Sequence, residues 1–270
     1  TTSTSYTPGS GISVGSHTLY VQEQNAAGNW SSSGSRTIVI DTTAPTAPSV
    51  SGTTPTNSTT PTWSWSPGGG GNGTYRYKLD NSDLTSGATE TTSTSYTPGS
   101  AISEASHTLY VQERDAAGNW SSSGSRVILV DTVAPTVTNV SSGSTNGRYK
   151  GGCTIYPYVV FDEPVNVTGT PKIQMAITGN SNRFATYSAK NTNILYFTFN
   201  VLSTDVFHNN DLDYTSNSAL SNVEVDGVNS TIRDSAGNDA TLTLANPGEQ
   251  YSLGYNKDFV FNSKVLTCGS

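Results

Sequence analysis

The side chains in this chain best suited to chemistry are acids set among glycine and asparagine. The stretch QERDAAGNW carries Glu113 and Asp115, while Asp41 and Asp131 stand at the heads of DTTAP and DTVAP. Further along, VVFDEPV places Asp162 and Glu163 before Pro164, and RDSAGND offers Asp234, Asn238 and Asp239. Carboxylates gathered in Gly/Asn-rich loops suit Ca2+, a hard cation that takes about six to eight oxygen ligands, backbone carbonyls included. A simple turn accounts for the same residues: Asp and Asn tolerate turn geometry, Gly118 supplies positive φ, and Trp120 plugs the loop. One loop can do both. Asn25 replaces Asp115 in the earlier copy of the motif and would weaken an equivalent site there.

Other candidates are weaker. HNNDLDY carries Asp211 and Asp213, and DNSDLTSG from Asp80 starts like a calcium loop but lacks the later Glu, so it reads as a hairpin turn. His17, His107 and His208 are scattered, and no G-x-S-x-G or H-E-x-x-H occurs. The carboxylate pairs sit in turns of repeated modules, unlike the two acids of a glycosidase cleft. The expectation is a protein that is not an enzyme. Trp63 and Trp65 read as core rather than a sugar platform, because they alternate on one strand flanked by Pro61 and Pro67. No motif supports a Lys–Asn crosslink through Lys172 or Lys257.

The elements that must position these acids are strands. Thr, Val, Tyr and Gly are abundant and helix formers sparse, so the expected class is all-β. With 20 acidic against 13 basic residues and no Lys/Arg cluster, nucleic acid is excluded as a partner. No run reaches the roughly 18 apolar residues of a membrane-spanning helix. Residues 1–46 match residues 91–136 at a fixed offset of 90, with roughly four positions in five identical. That period suits an immunoglobulin or fibronectin-like sandwich.

Three domains follow. Residues 44–133 form a complete repeat, with strands at SVSG (A), PTWSWSP (B), TYRYKLD (C), TSYTP (E), HTLYVQE (F) and RVILVD (G) and a short strand between Leu84 and Glu90. Residues 1–43 hold only strands E to G, so Thr1 falls inside a repeat and a window on a longer polypeptide is expected. Residues 134–270 form a larger sandwich from TIYPYVVF, PKIQMAI, RFATYSA, NILYFTFNV, ATLTL and DFVFN. In a seven-strand sandwich the B–C and F–G loops lie where the chain comes in, and strand G delivers the chain to the opposite end. Asp41 is therefore expected to approach Glu113, Asp115 and the PGGGGNG loop, and Asp131 to approach Asp162, Glu163, Asp234 and Asp239.

HTLYVQERDAAGNWSSSGSRVILVDTVAPT resembles the bacterial immunoglobulin-like repeats of large secreted adhesins, with their D-x-AGN loop and D-x-x-AP junction. GRYKGGCTIYPYVVFDEPVNVTGTPKIQMAI, DLDYTSNSAL and IRDSAGNDATLTL resemble a second repeat type of the same giant surface proteins. The resemblance implies a structural stalk or adhesin segment on a bacterial surface or outside the cell, stiffened by structural Ca2+ at the domain junctions. Partners would be neighbouring repeats of the same chain, with host or biofilm glycan or protein, or self-association, beyond them. Two other readings stay open. One is a carbohydrate- or protein-binding accessory module of a secreted enzyme; the other is a self-assembling extracellular fibre with strand complementation. Cys153 stands where such repeats carry a polar residue. The start of strand B and the end of strand G face the same end of a sandwich, so Cys153 and Cys268 are expected to form a disulfide.

Overall fold

The alternating runs fold as strands whose apolar side chains fall on one face. The structure, a computed structural model, describes residues 1–208, 211–222 and 229–269. Two compact units are present, one of Thr1–Thr53, Thr60–Ile102 and Ser106–Ile128, the other of Thr54–Thr59, Ser103–Ala105 and Leu129–Ser270.

The first unit begins with an antiparallel hairpin, β1 (Gly15–Val21) and β2 (Gly34–Ile40), in register from Gly15↔Ile40 to Val21↔Gly34. The expected strand E of this copy, TSYTP at residues 4–8, is not a strand. Its counterpart in the complete repeat pairs with strand B, and residues 1–43 contain no strand B to pair with. The complete repeat has β3 (Ser49–Ser51), β4 (Trp63–Ser66), β5 (Thr74–Leu79), β6 (Thr89–Thr91), β7 (Ser95–Tyr96), β8 (Ser106–Arg114) and β9 (Gly124–Leu129). They form a sheet β3-β4-β7 facing a sheet β6-β5-β8-β9, an immunoglobulin/fibronectin-like sandwich. Strict alternation along β8 turns His107, Leu109, Val111 and Glu113 inward. Trp63, Trp65, Tyr75, Leu109, Val111 and Ile128 make the core, and Trp63 spends its indole N–H on Arg126 O at 3.0 Å. Both tryptophans of PTWSWSP are thus core residues.

The second unit is a larger sandwich. Its strands are β10 (Val137–Ser142), β11 (Gly147–Tyr149), β12 (Thr154–Ile155), β13 (Pro157–Phe161), β14 (Asn166–Thr168), β15 (Lys172–Gln174), β16 (Phe184–Asn191), β17 (Ile194–Asn200), β18 (Leu220–Ser221) and β19 (Thr231–Arg233). A one-turn helix α1 (Leu253–Asn256) and β20 (Phe259–Phe261) close it. The main sheet runs β10-β13-β17-β16-β15-β18, while β14 pairs with β19 and β11 pairs in parallel with β20. Its core includes Val159, Phe161, Ile173, Met175, Phe197, Phe199, Leu212 and Phe259. ATLTL does not form a full strand: Thr241 makes only an isolated bridge to Thr136. Cys153 and Cys268 are disulfide-bonded, with Cα atoms 5.8 Å apart, as their expected places at one end of a sandwich require.

Candidate metal centre

The D-x-AGN loop is built the same way in both units. After β8, Asp115 Oδ1 accepts from Gly118 N at 2.7 Å and Asn119 N at 2.8 Å, and Asp115 Oδ2 accepts from Asn119 Nδ2 at 2.8 Å. After β19, Asp234 Oδ1 accepts from Gly237 N at 2.6 Å and Asn238 N at 2.8 Å, and Oδ2 accepts from Asn238 Nδ2 at 2.7 Å. Gly118 and Gly237 hold φ of 101° and 99°, conformations that side-chain-bearing residues rarely adopt. Asn25 makes the same kind of turn, accepting from Ala27 N and Asn29 N, both at 3.0 Å.

The asparagine that ends the motif also reaches beyond its own loop. Asn119 Nδ2 donates to Asp41 O at 3.1 Å, and Asn238 Nδ2 donates to Asp131 O at 2.9 Å. Each therefore ties the aspartate heading a D-T-x-A-P segment to the loop acid of the sandwich that follows. The sequence offers Asn238 beside Asp234 and Asp239, but reading it for acids passes over Asn119. The signal that could have found Asn119 is the recurrence of AGN at Asn29, Asn119 and Asn238, where a turn alone needs only the Gly.

Among the described residues, one group of three possible metal ligands converges: Asp131, Glu163 and Asp234, whose ligand atoms all lie within 4.8 Å of one another. Asp234 is buried and the other two are half-buried. Asp131 Oδ1 accepts from Val133 N at 3.2 Å. Burial raises the Glu163 carboxyl above its ordinary range, and the charges of Asp234, Asp131 and Asp162 raise it further. The donor set is all hard oxygen and mutually repelling, which fits Ca2+ and does not fit a soft thiolate-seeking metal.

Two of the acids expected here are engaged elsewhere. Asp162 accepts from Thr136 Oγ1 at 2.6 Å and Thr136 N at 2.8 Å, bonds that hold its carboxyl below the usual range. Asp239 pairs with Arg233 Nε at 2.6 Å across an exposed surface. Asp211 Oδ1 accepts from Leu212 N and Phe259 N, and Asp213 from Tyr214 N and Gly248 N, so both pin loops. Burial raises both of these carboxyls. Asn209 and Asn210 of HNNDLDY lie outside the described residues. In DNSDLTSG, Asp80 takes φ of 56° and bonds His107 Nδ1 at 2.7 Å, and Asp83 accepts from Thr85 N at 2.9 Å, as a turn would.

At Asp41, Glu113 and Asp115 the three carboxylates are not gathered in the same way. Asp41 Oδ1 accepts from Thr43 N at 2.9 Å, and Asp115 spends both oxygens on its own loop. Glu113 is 1% exposed beneath the PGGGGNG loop, where Oε1 accepts from Gly73 N at 3.3 Å and Oε2 has no hydrogen bond. Burial and then the Glu113 charge raise the neighbouring Tyr75 hydroxyl. A Cβ on Gly71 would stand 2.0 Å from Glu113 Cδ, so this position requires glycine. Gly71→Ala is expected to destabilise the repeat by about 1 to 3 kcal/mol through overpacking. Gly99→Ala, with open space around its Cβ, is the near-neutral control, and equal melting temperatures for the two variants would contradict the packing described.

No protein-family profile matches the chain. The chain is 31% identical over 149 residues to Chitinase A1 of Niallia circulans, covering 53% of this chain and 21% of that protein. It therefore spans about a fifth of the length of that curated relative. Among solved structures it is similar to a 1.5-MDa bacterial ice-binding adhesin, with 16% identity, TM-score 0.34, and 82% of this chain and 72% of that chain covered. The FN1-FN3 domains of chicken CNTN1 follow at 15% identity, TM-score 0.33, and 82% and 71% coverage. A chitinase from Bacillus thuringiensis shows 17% identity, TM-score 0.27, and 75% and 28% coverage.

Proposed function

We propose that this chain is a non-enzymatic, structural segment of a bacterial surface or secreted repeat protein, in which Ca2+ at Asp131, Glu163 and Asp234 fixes the D-T-V-A-P segment to the sandwich that follows it. One observation carries the reading. The carboxylates of Glu163 and Asp234 converge with that of Asp131, the residue whose carbonyl Asn238 already bonds. The ion would neutralise repulsion that the folded chain otherwise bears, so occupancy would add a second tie between segment and loop. Asp41, Asn119 and Asp115 repeat the polypeptide part of that joint, with Glu113 as the acid beside it.

The raised Glu163 carboxyl supplies a test by pH. A carboxyl that keeps its proton longer when folded than when unfolded makes stability fall as pH rises from about 4.3 through its folded value. Above that folded value the ion-free protein carries the penalty in full. Glu163→Gln is therefore expected to raise the melting temperature of the second unit at pH 7 in chelator and to leave it unchanged at pH 3. In Ca2+ the order at pH 7 reverses. Thermal melts in those three conditions check the prediction, and identical melts of wild type and variant throughout would contradict it.

A second reading, an accessory module of a secreted enzyme, is favoured by the match to a fifth of Chitinase A1. Retention of the full chain on chitin or on a glycan array, blocked by soluble oligosaccharide, would support it over the structural segment.

A further inference from the structure

The β1–β2 hairpin carries one half of a sandwich interior. In the complete repeat, Leu109, Val111 and Ile128 are each 0% exposed, covered by Trp63 and Trp65 of β4 and Tyr75 of β5. The same residue types at the same repeat positions, Leu19, Val21 and Ile38, are 41%, 59% and 49% exposed. Tyr6 and Ile12 likewise repeat Tyr96 and Ile102, which pack against the core of the complete repeat. Tyr6, Pro8, Ile12, Leu19, Arg36 and Ile38 line a groove of about 410 Å³ on the hairpin.

We propose that this face is a docking surface for the β3–β6 half of a repeat of this same type, a segment carrying a Trp-x-Trp strand and lacking a β8–β9 pair of its own. The complete repeat shows what such a segment would recognise. Its Trp63 donates to Arg126 O at 3.0 Å, and Arg126 donates from its guanidinium to Gly52 O at 3.1 Å. Arg36 occupies the position of Arg126 on the hairpin and offers the same carbonyl and the same guanidinium. Arg76 of β5 lies 4.3 Å over the Trp120 ring, and Arg114 lies 5.3 Å from it. Trp30, the counterpart of Trp120, is 62% exposed and has Gln24 at the position of Arg114, so its stacking cation would come from the docked segment.

A second copy of residues 1–270 is the wrong occupant. Each copy carries one β3–β6 segment, already engaged on β8–β9, and two faces that need one. Pairing copies therefore leaves the deficit where it was. Closing a sandwich with strands from elsewhere is a form of β-strand complementation, in which main-chain pairing supplies affinity and the pockets supply specificity.

The inference rests on the repeat architecture rather than on the cation site, and amide exchange in β1 and β2 reports on it alone. The experiment joins Ala44–Glu90 directly ahead of Thr1 of the full chain, since Thr1 takes the repeat position of Thr91, and also titrates the unmodified chain with the separate 44–91 polypeptide. Amide exchange of β1 and β2 is expected to slow about 100-fold in the fusion, with a change in Trp30 fluorescence in both formats. Leu19→Asp with Ile38→Asp should abolish both effects while exchange in β8 and β9 stays slow. Unchanged β1–β2 exchange in the fusion would overturn the proposal, as would hairpin protection arising in the unmodified chain alone through concentration-dependent dimers.

Discussion

Reducing the Cys153–Cys268 bridge is expected to destabilise the larger sandwich by about 4 kcal/mol, within the range that loop-closure entropy gives for a loop of this size. The cysteines are 115 residues apart, and the cross-link joins the start of β12 to the segment beyond β20. That segment is also tied to the region of β11: Asn262 N donates to Tyr149 O at 2.7 Å, Gly269 N donates to Arg148 O at 3.0 Å, and Lys150 Nζ donates to Leu266 O at 3.3 Å. The strand it follows, β20, pairs in parallel with β11, so loss of the cross-link frees a non-local pairing. For a domain of this length such a loss lowers the melting temperature by about 10 to 15 °C. Melting the full chain with and without reductant, alongside Cys153→Ser/Cys268→Ser, measures it. The variant should match the reduced wild type, and a shift of less than about 3 °C in both would show that the bridge constrains little.

Adding Ca2+ is expected to stabilise the second unit by about 2.7 kcal/mol once the free ion exceeds the dissociation constant roughly 100-fold. An extracellular site of few protein carboxylates falls in the range of about 10⁻⁴ to 10⁻³ M, so the plateau requires millimolar ion or more. Asp131→Asn is the informative variant. The Asp131 main-chain carbonyl accepts from Asn238 and should keep doing so, while the carboxylate loses its charge. Asp234→Asn would confuse the outcome, because the Asp234 carboxylate also holds the Gly237 and Asn238 amides. The Ca2+-dependent rise should disappear in Asp131→Asn and persist in Asp239→Asn, whose side chain pairs with Arg233. Equal rises in Asp131→Asn and wild type would place the ion elsewhere.

Much of the architecture was legible in the sequence because local signals agree with the fold. Period-two alternation in PTWSWSP and HTLYVQE marked the faces that Trp63, Trp65, Leu109 and Val111 bury, and glycine and proline marked the ends of the runs. The disulfide was legible once the strands were placed. The missing pieces depend on partners that a strand pattern does not name. TSYTP has strand character in both copies, yet at residues 4–8 it finds no strand to pair with. ATLTL alternates as well as any strand but reduces to one bridge at Thr241. The parallel pairing of β11 with β20 spans more than a hundred residues and leaves no local trace.

The candidate site shows the same division. Residue type identified Asp131, Glu163 and Asp234, since acids in Gly/Asn loops are unusual in so sparsely charged a chain. It could not foresee that Thr136 would occupy Asp162 or that Arg233 would occupy Asp239, because both engagements are set by side-chain geometry. It offered Asn238 beside Asp234, but not the two-way bonding by which Asn238 makes Asp131 and Asp234 parts of one structure.

The most direct test is isothermal titration of the full chain with CaCl2, comparing wild type with Asp131→Asn/Glu163→Gln. A cation held at Asp131, Glu163 and Asp234 predicts a binding isotherm in the wild type that loses that site in the double variant, with the melting temperature of the second, disulfide-bonded unit following the same pattern. No binding heat and no thermal shift in wild type at about 10 mM Ca2+, well above the range for extracellular sites, would contradict it, as would an isotherm unchanged by the double substitution.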